Sequence, residues 1–241
     1  MPKSIYRAKA FKSRASHPLN GLSVIFDLGG FSKFFNQPDV HSYIPSYLNH
    51  ITKCIETAFF GGKQFWLLDG SDDLPPLNPL PIHRKFLGDG ALYIWTPSKT
   101  SEEFSTNFLG YLSNRLWNLQ KELPQINKAC ADQIPVFELP KAIRFGISRG
   151  TIYELTIEGS KVKEYIGICI NLAARLQKYC SGLNFIASAR VGLPSKSLTK
   201  HGYIKVLATK IKGFPNEIVI VDKDEYQSLP KNITKDLFAD I

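Results

Sequence analysis

Two stretches of this chain set a carboxylate where an apolar strand gives way to glycine. Ser23-Val24-Ile25-Phe26 ends on Asp27 and is followed by Leu28, Gly29, Gly30 and Phe31. Between the apolar runs Arg84–Leu87 and Ala91–Trp95 stands Gly88-Asp89-Gly90, the signature of a hairpin with an acid at its tip. An acid placed there is exposed to whatever binds the bend, and successive backbone N–H groups around the glycines can cradle a phosphate-sized anion. Taken singly, each is a common turn, since Asp at a strand end more often caps a helix or forms a turn. A third stretch, Glu164 to Gln177, leads into a helix in which Asn171 and Arg175 lie four residues apart. That spacing puts both on one face, able to reach one ligand, although a solvated Arg beside a helix-lining Asn is the ordinary reading.

The elements that must position these groups follow from periodicity. Ile44 to Phe60 has apolar residues at helical spacing and stops at Gly61-Gly62. Residues 70–81, with Pro75, Pro76, Pro79 and Pro81, suit neither helix nor inner strand and read as an extended surface loop. Residues 101–122 form an amphipathic helix whose Phe and Leu stripe belongs to the core. Residues 142–157 alternate as two strands joined near Gly150, and Asn184–Ala187, Ile204–Lys212 and Glu217–Val221 read as strands, the last two a hairpin around Gly213-Phe214-Pro215. These readings divide the chain into a basic arm at 1–20 with Lys3, Arg7, Lys9, Lys12 and Arg14, a catalytic-sized domain at 21–222, and a polar, peripheral tail at 223–241.

Composition sets the outer bounds. At 241 residues, 44% hydrophobic and 21% charged, the chain can bury a full core and shows no sign of bulk disorder. A net charge of +9 calls for an anionic partner, and a phosphorylated small molecule satisfies it as well as nucleic acid, for which no motif is present. Cys54, Cys130, Cys169 and Cys180 lack zinc or redox spacing and read as free thiols of a reducing cytoplasm, and no apolar run is long enough to span a bilayer.

Singly weak, the motifs are specific in their order. Between about Leu22 and Val221 the sequence resembles the class III nucleotide cyclases, the adenylate and guanylate cyclase catalytic domains. The resemblance is carried by F-D-L-G-G-F-S at 26–32, K-F-L-G-D-G at 85–90, R-F-G-I-S-R-G at 144–150, G-I-C-I-N-L-A-A-R-L at 167–176 and I-K-G-F at 211–214. It implies a ferredoxin-like βαββαβ sandwich of the α+β class. It further implies that Asp27 and Asp89 hold two divalent cations, Mn²⁺ or Mg²⁺, which take one or two carboxylates and complete their shell with phosphate and water. By the same resemblance Asn171 orients the ribose, Arg175 stabilises charge on the α-phosphate, and Lys212, with Lys210 as a lesser candidate, binds the terminal phosphates. The backbone at Gly29, Gly30 and Phe31 would cradle those phosphates. The two halves of each site would come from different protomers of a homodimer.

Lys85 and Glu164 match the base-reading positions. A Lys donor with a carboxylate acceptor suits adenine, cytosine or uracil, so hydrogen-bond logic leaves the base open. The run Y-I-G-I-C-I-N-L-A-A-R-L-Q-K at 165–178 resembles the stand-alone pyrimidine cyclases of bacterial anti-phage (Pycsar) signalling, and no attached sensor or membrane domain is evident. That resemblance favours a pyrimidine over a purine, and UTP is taken as the expected substrate ahead of CTP and then ATP, with the cyclic product read by a separate effector. A nucleotide-sensing domain without turnover is the alternative from another functional class.

Overall fold

A computed structural model describes residues 11–12, 16–67, 73–97, 104–159 and 161–239. Of the basic arm, Lys3, Arg7, Lys9 and Arg14 lie outside the described residues, as do 70–72 of the proline-rich loop and 101–103 of the expected helix. In chain order the elements are β1 (Pro18–Gly29), α1 (Phe31–Phe35), α2 (Ile44–Phe60), β2 (His83–Phe86), β3 (Gly90–Trp95), α3 (Thr106–Lys121) and α4 (Leu123–Cys130). They continue with β4 (Ala142–Thr156), β5 (Lys163–Gly167), α5 (Ile168–Tyr179), β6 (Phe185–Ser188), α6 (Ser195–Lys200), β7 (Tyr203–Ala208), β8 (Glu217–Asp222), α7 (Lys223–Gln227), α8 (Lys231–Leu237) and β9 (Phe238–Ala239).

The strands form one sheet in the order β2-β3-β1-β4-β6-β8-β7-β9, with β5 paired to β4 alone. Its first half, β1-α2-β2-β3-α3-β4 with strand order β2-β3-β1-β4, is the ferredoxin-like βαββαβ unit expected. Alternation along β1 divides the layers. Leu22, Val24, Phe26 and Leu28 join the large core beneath α2 and α3, whereas Ile25 packs with Leu92, Ile94, Cys169 and Ala173 under α5 on the opposite face. Asp27 shares that second face. The α2 helix runs from 44 to 60 as its pattern predicts, closed by Gly61, whose amide bonds to Thr57 O.

Three expectations change. Residues 142–157 do not turn at Gly150: β4 is one strand of 15 residues because β1 pairs with it continuously from Pro18↔Tyr153 to Gly29↔Ala142. The proline-rich segment is not wholly superficial, since Leu77 is buried and its amide bonds to Phe59 O. The polar tail also folds: β9 pairs with β7, and Phe238 is buried beside Tyr179 and Tyr226. Charged residues dominate the tail's average, but Leu229, Ile233 and Leu237 recur along one side and pack on that core.

α5 owes its position to a missing side chain. A Cβ on Gly146 of β4 would lie 2.0 Å from Ala173 O and 2.7 Å from the Gln177 backbone nitrogen, so only glycine lets the helix lie this close. The four cysteines are buried free thiols. Among the described residues no helix is long and apolar enough to cross a membrane.

Candidate active site

Asp27 and Asp89 meet. In the sheet Asp27 stands opposite Gly90 on one side and Arg144 on the other. Close approach of the hairpin depends on Gly90, where a Cβ would fall 1.9 Å from Phe26 O. The Leu28 amide bonds to Asp89 O at 3.2 Å, so the hairpin tip is tied to β1 beside Asp27. Burial and the adjacent Asp89 carboxylate, with a hydrogen bond between the two side chains, push the Asp27 carboxyl above its ordinary value, against the pull of Lys178 and Arg144. Two acids held in contact are a donor set a hard divalent cation relieves, because its charge removes their mutual repulsion. Among the described residues no third His, Cys, Asp or Glu joins them. Such a pair fits an ion whose remaining ligands are phosphate oxygens and water.

Immediately after Asp27 the chain bends through Gly29 and left-handed Gly30 into α1. The Lys33 and Phe34 amides both donate to Gly30 O, which leaves the Phe31 and Ser32 amides at the start of the turn without partners in the helix. Phe31 packs on the core and anchors the bend.

Asn171 and Arg175 both lie exposed on α5. Arg175 shares a cleft of about 430 Å³ with Lys178, Lys210 and Lys212. Lys210 is ion-paired with Asp236 of α8, whereas no hydrogen bond or ion pair among the described residues engages the Arg175, Lys178 or Lys212 side chains. Lys212 is thus the better placed of the two sequence candidates to meet an incoming anion. Among the described residues no hydrogen bond or ion pair joins Asp27 or Asp89 to Asn171 or Arg175.

Lys85 of β2 and Glu164 of β5 also come together, the ammonium donating to Glu164 Oε2 at 2.8 Å. Their 79-residue separation closes because β5 folds back on the end of β4. Behind this pair His83 lies against the Tyr165 ring at 5.0 Å, its imidazole pulled below its ordinary value chiefly by burial. Tyr165 in turn donates to Glu154 at 3.1 Å.

The motifs did not single out Arg144, Lys178, His83 or Tyr165. Arg144 opens the R-F-G-I-S-R-G run, but its place opposite Asp27 depends on a strand register that a turn at Gly150 would have hidden. Another cleft, of about 710 Å³, is lined by His50, Lys53 and Phe65 on the helical layer, across the sheet from Asp27.

No protein-family pattern and no curated protein matches the sequence. Solved structures do match in fold. The adenylyl cyclase CyaB from P. aeruginosa is 19% identical with a TM-score of 0.57 over 86% of this chain and 96% of that one. A guanylyl cyclase is 17% identical with a TM-score of 0.54 over 87% and 93%. A bacterial light-regulated adenylyl cyclase is 16% identical with a TM-score of 0.55 over 88% of this chain, which spans 54% of that one. With its βαββαβ core, mostly antiparallel sheet and hairpin-borne acid, the chain has the fold of the class III adenylyl and guanylyl cyclase catalytic domains.

Proposed function

We propose that this chain is a metal-dependent nucleotide cyclase that converts a pyrimidine nucleoside triphosphate, UTP ahead of CTP and ATP, to the 3′,5′-cyclic nucleotide and pyrophosphate. The observation that carries this reading is the side-by-side placement of Asp27 and Asp89, by the β1–β3 register and the Leu28 amide bond to Asp89 O, within a fold shared with cyclase structures. In the reaction the ribose 3′-oxygen bonds to the α-phosphorus, the bond to pyrophosphate breaks, and the hydroxyl proton leaves to solvent. Divalent cations held by Asp27 and Asp89 would supply Lewis acidity toward that hydroxyl and neutralise the phosphates.

The chain's own residues do the rest. Amides at Gly30 and Phe31, with Arg144 beside Asp27, face the phosphates, and Lys212 meets their far end. Arg175 offers a fixed cation to charge developing at the α-phosphate, and Asn171, one turn earlier, orients the ribose. Lys85 and Glu164 part to admit a base and then present one donor and one acceptor. Glu164 stands where the adenylate enzymes of the resembled family usually carry Asp, and its extra methylene reaches further toward a small ring, which supports a pyrimidine, as does the resemblance of residues 165–178 to anti-phage pyrimidine cyclases. In that setting the product is a second messenger read by a separate effector.

A second copy of the chain completes each site: no hydrogen bond or ion pair among the described residues of one chain joins the acids to the Asn171–Arg175 pair, and the cyclase resemblance assigns the two halves to different protomers. The apolar surface it would cover includes Ile166 at 54% exposed and Ile168 at 47%, at the joint of β5 and α5. Incubating the protein with Mn²⁺ and each of the four triphosphates separately tests the reading. One cyclic pyrimidine nucleotide plus pyrophosphate is expected, lost with a chelator and restored by Mn²⁺. Cyclic AMP as main product overturns the pyrimidine assignment, and nucleotide binding with no pyrophosphate release overturns the enzyme.

A further inference from the structure

Lys178 is a cation that neither the acid pair nor the Asn171–Arg175 pair accounts for. It lies in the last turn of α5, three residues beyond Arg175 and so on the same side of the helix. Together with Arg175, Lys210 and Lys212 it lines the cleft of about 430 Å³. That turn is pressed onto β4 at Gly146, whose Cβ would lie 2.7 Å from the backbone nitrogen of Gln177. Gly146 is two residues along β4 from Arg144, the sheet partner of Asp27, and both face α5. The packing therefore seats the last turn of α5, and Lys178 with it, over the stretch of β4 that pairs with Asp27, while the Lys178 side chain lines the cationic cleft. No hydrogen bond or ion pair among the described residues holds its ammonium, in contrast to Lys210.

We infer that Lys178 is a substrate-binding residue that holds the non-reacting phosphates of a nucleoside triphosphate, and that it serves the site built on Asp27 and Asp89 of its own chain. The inference rests on the cyclase reading and adds to it a division of labour within one helix. Arg175 reaches the partner's acids, whereas Lys178, one turn later, reaches those of its own protomer. A plain surface lysine near the end of a helix would instead only complement the helix dipole.

Inhibition by pyrophosphate and by the cyclic product separates these roles, since only pyrophosphate carries the phosphates in question. Lys178→Ala should raise KM and weaken pyrophosphate inhibition about tenfold, as loss of a charged hydrogen bond does, with inhibition by the cyclic product unchanged and Lys178→Arg restoring most of the loss. Equal effects on both inhibitors, or none on either, overturn the inference. The protomer it serves is read from mixed dimers of Asp27→Asn with Arg175→Ala chains. Adding Lys178→Ala to the Arg175→Ala chain, which supplies the intact acids, should raise the KM of the recovered activity about tenfold, and adding it to the other chain should not. The opposite pattern overturns the assignment to its own chain. A wild-type protein that forms no cyclic nucleotide from any triphosphate overturns the cyclase reading instead, and calorimetry of pyrophosphate binding to wild type and Lys178→Ala then still decides whether Lys178 binds phosphate.

Discussion

Asp27 and Asp89 are 62 residues apart in the chain yet adjoin where the hairpin tip is tied to β1, and the chemistry proposed depends on both being ionised against a cation. Asp27→Asn or Asp89→Asn keeps the shape and removes the charge, so product formation should fall by about three orders of magnitude or more while size-exclusion behaviour and melting temperature stay near wild type. Loss of the folded assembly in these variants would make the acids structural. Arg175→Ala should lower kcat by roughly 10²–10³, the usual effect of removing one fixed donor from a transition-state charge, with less change in KM. Gly90 is of another kind. Its alanine variant places a Cβ 1.9 Å from Phe26 O, so Gly90→Ala should lower the melting temperature strongly or leave the protein insoluble, on the scale of about 3 kcal/mol or more. At this scale the motifs exposed the acids and the Asn171–Arg175 pair, because each has a local signature. Arg144 and Lys178 have none; what they do depends on what lies opposite them.

Between elements, β4 and α5 do most of the positioning. A single 15-residue strand pairs with β1 along its whole length, and α5 lies across that pair wherever Gly146 allows contact. The alternation of residues 142–157 was legible, whereas the absence of a turn was not, because glycine at 150 is compatible with either and pairing to β1 decides. The tail teaches the same point at the other edge of the sheet. Its polar composition reads as peripheral, yet α7, α8 and β9 return three apolar side chains and Phe238 to the core under β7 and β8. Phe238→Ala should therefore cost about 3 kcal/mol, as buried Phe truncations do. For a domain of this size that corresponds to a loss of roughly 6–12 °C in Tm, which thermal unfolding measures. A change within about a degree would return the tail to the periphery.

The whole molecule, read as a cyclase, is incomplete alone. Each chain carries both the acid pair and the Asn171–Arg175 pair, and the proposed reading takes the dimer as the catalytic unit. Mixing Asp27→Asn and Arg175→Ala chains should recover about a quarter of wild-type activity, since half of randomly paired dimers are mixed and each mixed dimer has one intact site. No recovery despite confirmed subunit exchange would place both halves within one chain. Specific activity should also fall on dilution as dimers dissociate, in proportion to the dimer fraction measured by mass photometry.

By itself the sequence determined which residue types were available and where local geometry would put them. Strand-end acids, the i, i+4 pair on α5 and the helix closed by Gly61 are all set by neighbours within a few positions, where periodicity and turn chemistry act. Only the tertiary structure decided which of these meet. Asp27 against Asp89, Lys85 against Glu164, Arg144 opposite Asp27 and the tail against β7 all join distant positions. Those contacts follow from sheet register and from close approach at Gly90 and Gly146, which are properties of the packed fold and not of any window of sequence.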